Sequence, residues 1–251
     1  MPRTVLAPGG TNPPQPPAAT RARRSGIKLA VAVLGVGIAV TVVAACGSVR
    51  LGAAAIAGNQ RISSSTLSSE VNNLDSAYKA DKKHIQLQFP ASQMPQQVLS
   101  WLVRFRVRDQ LAQREGITVT PANIQQALNQ ITASIKQSGE SATLTQVAVA
   151  NGLPPDQINA LGRYQAIEAK ALDRLDGGKL PTGTSAQQTL ENKFDTSQCL
   201  AAKSLNIQIN PQFGTLNYSD FSVVLAPTTL SNPQSIAPTP AASKPVTTPP
   251  C

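Results

Sequence analysis

The chain has 251 residues and a formal net charge of +9, with aromatic residues making up only 4% of it. Five of its 22 basic residues precede Cys46 and no acidic residue does, so the remainder carries 17 basic and 13 acidic groups, a net charge of +4. These basic residues are scattered and lack the interleaved aromatics of a nucleic-acid-binding groove, so we expect no nucleic-acid partner.

Residues 1–45 are predicted to be a signal peptide of the lipoprotein type with a long Pro-rich first part. A positively charged stretch is followed by residues 29–45, which are uncharged and mostly apolar. This run ends in Val43, Ala44 and Ala45 directly before Cys46, and that end resembles the bacterial lipobox. In the lipobox, signal peptidase recognises the small residues and the cysteine receives a diacylglycerol. We therefore predict lipidation of Cys46.

An uncleaved transmembrane helix is the alternative for the same segment. The apolar run has 17 residues, which is the short end of the roughly 17–25 that span a bilayer. Both alternatives leave the rest of the chain outside the cytoplasm, because the positive charge precedes the apolar run. We expect a protein held by its lipid at the extracytoplasmic face of the bacterial cell membrane.

Residues 46–52 are predicted to be a tether, and residues 53–226 a single folded domain. Residues 53–62 favour a strand, a turn at Gly58-Asn59 and a second extended piece. Ser63 to Thr66 offer N-caps for a helix. Residues 95–115 then form the most apolar helix of this part, and Gly116 ends it.

The next helix is predicted to begin at Pro121, with Thr120 as its cap. A short helix over residues 143–150, a longer one after Pro154-Pro155 and a last one over about residues 185–204 follow. Residues 206–210 alternate as a strand. The fold is therefore predicted to be mostly α, with a helical body closed by a small sheet that pairs a strand near 53–58 with one near 206–210, because neither strand is stable alone.

Residues 227–251 are rich in Pro, Thr, Ser and Ala, which favours a disordered spacer over a partner ligand. Cys199 and Cys251 remain once Cys46 carries lipid. An oxidising compartment allows these two to pair. Because Cys251 ends a Pro-rich tail, we expect Cys199 to be buried or free rather than paired.

We expect no catalytic residue, metal or cofactor. His84 is the only histidine and lies in a polar context, so we predict that it is solvent-exposed and not a general base. No Cys/His cluster has metal-ligand spacing, no glycine-rich phosphate loop follows a strand, and no two carboxylates form an obvious pair.

Residues 53–63, 98–120 and 207–214, in this order, resemble the SurA N-terminal chaperone family in its actinobacterial lipoprotein form. Gln212 stands where the family pattern has an arginine. The resemblance implies a helical cradle that binds unfolded or extended exported polypeptides as a holdase. Relatives often carry a parvulin prolyl-isomerase domain whose site resembles a pocket with two histidines, and this chain has one histidine.

Two alternatives to a holdase stay open. One is a foldase with prolyl-isomerase activity, and the other is a structural lipoprotein that binds one envelope partner. Four residues of the apolar helix are candidates for peptide binding. Trp101 and Phe105 share a face and form either the floor of a groove or part of the core. Arg104 and Arg108 are predicted to face away from the apolar arc, where they flank a groove or are simply solvated.

Arg106 and Asp109 are three residues apart within the apolar arc of the same helix. At this spacing they are predicted to form one intrahelical ion pair or to be ordinary solvated charges.

Overall fold

The computed structural model of the protein describes residues 52–139, 141–178 and 182–225, together with Val246 and Cys251. The predicted signal peptide, its residues 43–45 and the lipidation site Cys46 lie outside these residues. The boundaries predicted at 45 and 52 therefore stay predictions.

The first sheet joins the two ends of the folded domain. Strand β1 (Ala53–Ala57) turns into β2 (Gln60–Ser63) and is antiparallel to it. On its other side β1 pairs with β3 (Gln208–Ile209), with Ala55 opposite Ile209 and Ile56 opposite Gln208. The order β2-β1-β3 confirms the predicted pairing of the strand near 53–58 with the one near 206–210.

The described part of the chain contains six α-helices, which confirms the mostly helical fold. They are α1 (Ser64–Ala80), α2 (Met94–Arg114), α3 (Pro121–Gln137), α4 (Leu144–Ala150), α5 (Ile158–Asp176) and α6 (Thr184–Leu205). Short 3-10 turns precede α2 and α5.

The helix ends follow the local sequence. The Ser63 hydroxyl accepts a hydrogen bond from the Thr66 N–H at 2.9 Å, and Thr120 and Thr143 form capping boxes at α3 and α4. Gly116 follows the last turn of α2 with φ of +62° and ends that helix as predicted.

The core lies around α2, which contacts α1, α5, α6 and the strands. Its buried positions include Val98, Leu99, Val103 and Leu111, all fully inaccessible to solvent. Helix α5 approaches α3 closely at Gly162, where an added Cβ would lie 2.7 Å from Leu128 Cγ. Packing of this density explains why α2 is apolar around most of its circumference.

A second sheet was not predicted from the sequence. Strands β4 (Thr215–Asn217) and β5 (Ser222–Val224) form an antiparallel hairpin, and β5 packs on α2. Each strand has only three residues, so the hairpin depends on its contacts with the helical body.

Cys199 forms a disulfide with Cys251, with the two Cα atoms 6.0 Å apart. Cys199 is buried, as expected, but the expectation that it is unpaired is wrong. The structure describes two residues of the tail that was predicted to be a disordered spacer. Cys251 is bonded to α6, and Val246 lies against β4, where its carbonyl accepts the Tyr218 N–H at 2.7 Å. A Pro-rich composition predicts a lack of packing. It does not show whether a cysteine within the segment forms a disulfide.

Candidate functional site

Helix α2 carries the four candidate binding residues, and the structure separates them. Trp101 and Phe105 lie together with Tyr164 of α5 in an aromatic cluster. The ring centroids of Trp101 and Phe105 are 5.8 Å apart, and Tyr164 lies 6.3 Å from Trp101 and 6.1 Å from Phe105. The two contacts of Tyr164 are edge-on, an arrangement that aromatic pairs favour.

The structure distinguishes the two residues of this pair by their exposure. Phe105 is buried and packs against Leu153 and Leu161, so it belongs to the core. Trp101 is only half-buried, and its indole N–H donates to the Asn151 carbonyl at 3.0 Å. Trp101 and the half-buried Tyr164 therefore present the solvent-accessible side of the aromatic cluster.

Arg104 borders the aromatic cluster but is not a free surface charge. Its guanidinium lies over the Trp101 ring, 5.2 Å from the centroid. Its Nε donates to the Asp220 carbonyl at 3.0 Å, and its Nη2 lies 3.9 Å from the Asp220 carboxylate. The side chain thus connects Trp101 to the β4–β5 hairpin, so the alternative of a simply solvated charge does not hold for Arg104.

Arg108 is buried, with 3% of its surface accessible, so the prediction that it faces solvent is wrong. Its guanidinium is stacked between Tyr164, at 4.1 Å, and Phe194, at 4.7 Å, and its Nη2 lies 3.1 Å from Glu168. Helices α5 and α6 cover this side of α2, and a planar, weakly hydrated guanidinium is suited to stacking there. Arg108 therefore holds three helices together and is not accessible to a peptide.

Asp109 pairs with a neighbouring helix. Its carboxylate accepts from Arg163 of α5 at 2.8 Å, in place of the intrahelical pair predicted with Arg106. Arg106 and Asp109 form no ion pair with each other. A cavity of about 30 Å³ lies between Asp109, Arg163, Tyr164 and Phe105. This volume is about that of one water molecule, so a peptide side chain would have to bind on the outer surface of the aromatic cluster.

His84 is solvent-exposed, as predicted, with 70% of its side chain accessible. It contacts Asp81, whose other carboxylate oxygen accepts from Gln146 Nε2 at 2.7 Å. The hydrogen bond from Gln146, and then the one from His84, hold the pKa of Asp81 below its ordinary value. These residues join α1 to α4, and they lie beside a shallow depression lined by Lys82 and Lys83.

Two carboxyl groups that the sequence did not bring together meet between α1 and the turn before α5. Glu70 lies beside Asp156 and also accepts from Gln157 Nε2 at 2.9 Å. Burial raises the pKa of Glu70, and the neighbouring Asp156 raises it further. The two are 86 residues apart, so no local spacing indicates the pair. We assign the pair no role.

Within the described residues, no three acidic, cysteine or histidine side chains are arranged to hold a metal ion. In the same part of the chain, every helix is too short or too polar to cross a membrane.

The sequence model of one protein family, described as the SurA-like N-terminal domain, matches residues 19–172, which is more than half of the chain. The match ends within α5, so α6 and the strands that follow lie beyond it. Comparison with curated proteins and with solved structures gave no match.

Proposed function

Because the chain belongs to the SurA-like N-terminal domain family, which is of chaperone type, we propose that it binds non-native exported polypeptides as a holdase. The family match is the observation that carries this proposal. It favours binding over catalysis, and no residue is assigned a catalytic role.

The proposed client-binding surface is the accessible side of the aromatic cluster. Trp101 and Tyr164 offer partly exposed rings, and large aromatic side chains dominate the energetics of protein recognition. The Arg104 guanidinium lies over the Trp101 ring at the edge of this surface and is held there by Asp220. The cavity beside Phe105 and Tyr164 is too small for a client side chain, which favours shallow contacts that tolerate many client sequences.

The proposed location is the extracytoplasmic face of the cell membrane. It rests on the sequence of residues 29–45 and on Cys46, the predicted site of the lipid. An anchor there would keep the client-binding surface close to polypeptides that emerge from the membrane. Tethering raises their local concentration without any added contact.

The test uses the chain from Gly47 on, which contains every described residue, and an exported protein diluted from urea. Reductant is left out so that the Cys199–Cys251 disulfide stays intact. We expect this chain to suppress aggregation of the client. Trp101→Ala should weaken client binding by about 2 kcal/mol, roughly thirtyfold in the dissociation constant.

Tyr78→Ala is the matched control, since Tyr78 is a half-buried aromatic on α1 that packs on the main core away from the aromatic cluster. Circular dichroism checks that both variants fold. No suppression at a severalfold molar excess of the protein would refute the holdase. Capture of one native envelope protein alone would favour the interaction lipoprotein, and turnover of an X-Pro peptide would favour the foldase.

A further inference from the structure

The β4–β5 hairpin is held to α2 along its β5 side. The Val223 N–H donates to the Ser100 hydroxyl at 2.7 Å, and this hydroxyl donates to the Gln96 carbonyl at 2.6 Å. Arg104 donates to the Asp220 carbonyl in the turn between the two strands. These contacts fix the hairpin on the helix that carries Trp101. They do not involve the end of β4.

Val246 contacts the end of β4 through its main chain. The Tyr218 N–H donates to the Val246 carbonyl at 2.7 Å, and the Val246 N–H donates to Asn217 Oδ1 at 3.0 Å. Tyr218 is buried, so its N–H requires an acceptor. Val246 itself keeps 39% of its surface exposed. The contact therefore depends on the main chain of Val246 more than on its side chain.

The disulfide keeps Val246 close to this position. Cys251 is bonded to Cys199, and its carbonyl accepts from Lys203 Nζ at 3.1 Å, so the chain end is fixed on α6. Val246 is five residues from Cys251 but 21 residues from Leu225, the last residue of the hairpin region. Oxidised protein thus holds Val246 by a short tether, and reduced protein holds it only by the long one.

We propose that the end of β4 at Asn217 and Tyr218 is an acceptor site for an extended polypeptide, occupied in the oxidised protein by its own tail. The ligand class is any extended segment that offers one carbonyl and one N–H at the spacing of Val246. Such main-chain recognition is largely independent of sequence. This inference rests on the proposed function, because a non-native exported polypeptide is the expected competitor.

Reduction of the disulfide would make the tail a weaker competitor. A dithiol reductant gives up two electrons and two protons to Cys199 and Cys251 and leaves as its own disulfide, so one S–S bond breaks and one forms. The effective concentration of a tethered segment falls as roughly the −3/2 power of tether length. Exchanging a five-residue tether for a 21-residue tether therefore lowers the local concentration of Val246 by roughly tenfold.

The first measurement follows hydrogen exchange of the Tyr218 amide in the chain from Gly47 on. Cys251→Ser should expose this amide, with exchange roughly tenfold faster than in oxidised protein. Cys199→Ser removes the same bond from the other side and should behave identically. Wild-type protein treated with a dithiol provides a third route to the same state, in case either variant folds poorly.

The second measurement uses a synthetic peptide with the sequence of residues 243–250 as the probe. It should bind Cys251→Ser roughly tenfold more tightly than oxidised wild type. Val246→Pro keeps the disulfide but removes the N–H that Asn217 accepts, so it should also admit the peptide more readily. Arg114→Met should leave this peptide binding unchanged, because Arg114 is an exposed residue outside both the acceptor site and the aromatic cluster.

Equal affinity of the peptide for oxidised and reduced protein would overturn the role of the disulfide. Unchanged Tyr218 exchange, or no peptide binding to either form, would overturn the acceptor site. Both results are compatible with aggregation suppression that depends on Trp101, so failure here is distinguishable from failure of the holdase proposal.

Discussion

The two small sheets of this protein are held in different ways. In the first sheet, β1 has a hydrogen-bonded strand on each side, and Ala53, Ala54, Ala55 and Ala57 are almost completely buried. The second sheet is a hairpin of two three-residue strands. It is fixed by the hydroxyl of Ser100, the guanidinium of Arg104 and the main chain of Val246.

Both sheets contribute side chains to the main core, the second through Leu216, Phe221 and Val223, but only the first has a central strand bonded on both sides. Local opening costs less where fewer hydrogen bonds have to break. We therefore expect the first sheet to open only with global unfolding and the second sheet to open at a lower free energy. Three substitutions test this expectation in order of decreasing effect, and a fourth tests a contact outside both sheets.

The largest effect is expected from Ala55→Glu in the centre of the first sheet. Ala55 has no accessible surface, so the new carboxylate would be buried without a partner and should destabilise the domain by about 3–5 kcal/mol. Urea unfolding followed by circular dichroism measures this loss. Gln60→Glu, at an exposed position of β2, is the control. A comparable loss at Gln60 would contradict a core-like first sheet.

Ser100→Ala should reduce the free energy of unfolding by about 1–3 kcal/mol, because the buried Val223 N–H loses its acceptor. Hydrogen exchange at Val223 should accelerate. Exchange in β1 should change only as much as the free energy of global unfolding changes. Ser204→Ala removes a hydroxyl that bonds only within α6 and should change stability by no more than about 0.5 kcal/mol. Equal acceleration in both sheets would show that they open together.

Arg104→Met keeps most of the aliphatic stem but removes the hydrogen bond to the Asp220 carbonyl. We expect a loss of about 0.5–1.5 kcal/mol, confined to the hairpin in a hydrogen-exchange map. Arg114→Met replaces an exposed arginine of the same helix and should have no such local effect. Unchanged exchange in the hairpin would mean that Ser100 and the strand packing hold it alone.

The smallest effect comes from a titratable contact outside both sheets. The hydrogen bonds from Gln146 and His84 lower the pKa of Asp81 in the folded protein. Its contribution to stability is therefore present above the ordinary value of 3.8 and is lost as the pH falls through the lower folded pKa. The stability difference between wild type and Asp81→Asn should shrink below about pH 4, as measured by urea unfolding. A difference that grows on acidification would contradict the lowered pKa.

Features with local causes were predictable from the sequence. The caps at Ser63 and Thr120 and the glycine after α2 follow from local side-chain chemistry. The pairing of β1 with β3 follows from the need of a lone strand for a partner. The β4–β5 hairpin has no such signal. Its strands are too short for a visible alternation, and its turn places bulky Phe221 at φ of +55°, a conformation that sequence patterns assign to glycine or asparagine.

The candidate site was predictable only in part. Helical spacing places Trp101 and Phe105 on one face, but the exposure of the first and the burial of the second depend on how α5 lies against them. The burial of Arg108 was not predictable, because its partners Tyr164, Glu168 and Phe194 come from two later helices. The disulfide was missed because nothing near Cys251 in the sequence specifies Cys199.

The central position of β1 also has a mechanical consequence. An anchor at Cys46, as proposed, would lie seven residues from Ala53, a span of at most about 25 Å. Tension between the membrane and the domain would then be applied at Ala53, where β1 begins. Because β1 is hydrogen-bonded to β2 on one side and to β3 on the other, the load would pass to both neighbouring strands. An anchor at Cys46 would thus pull on both ends of the folded domain together rather than on its first strand alone.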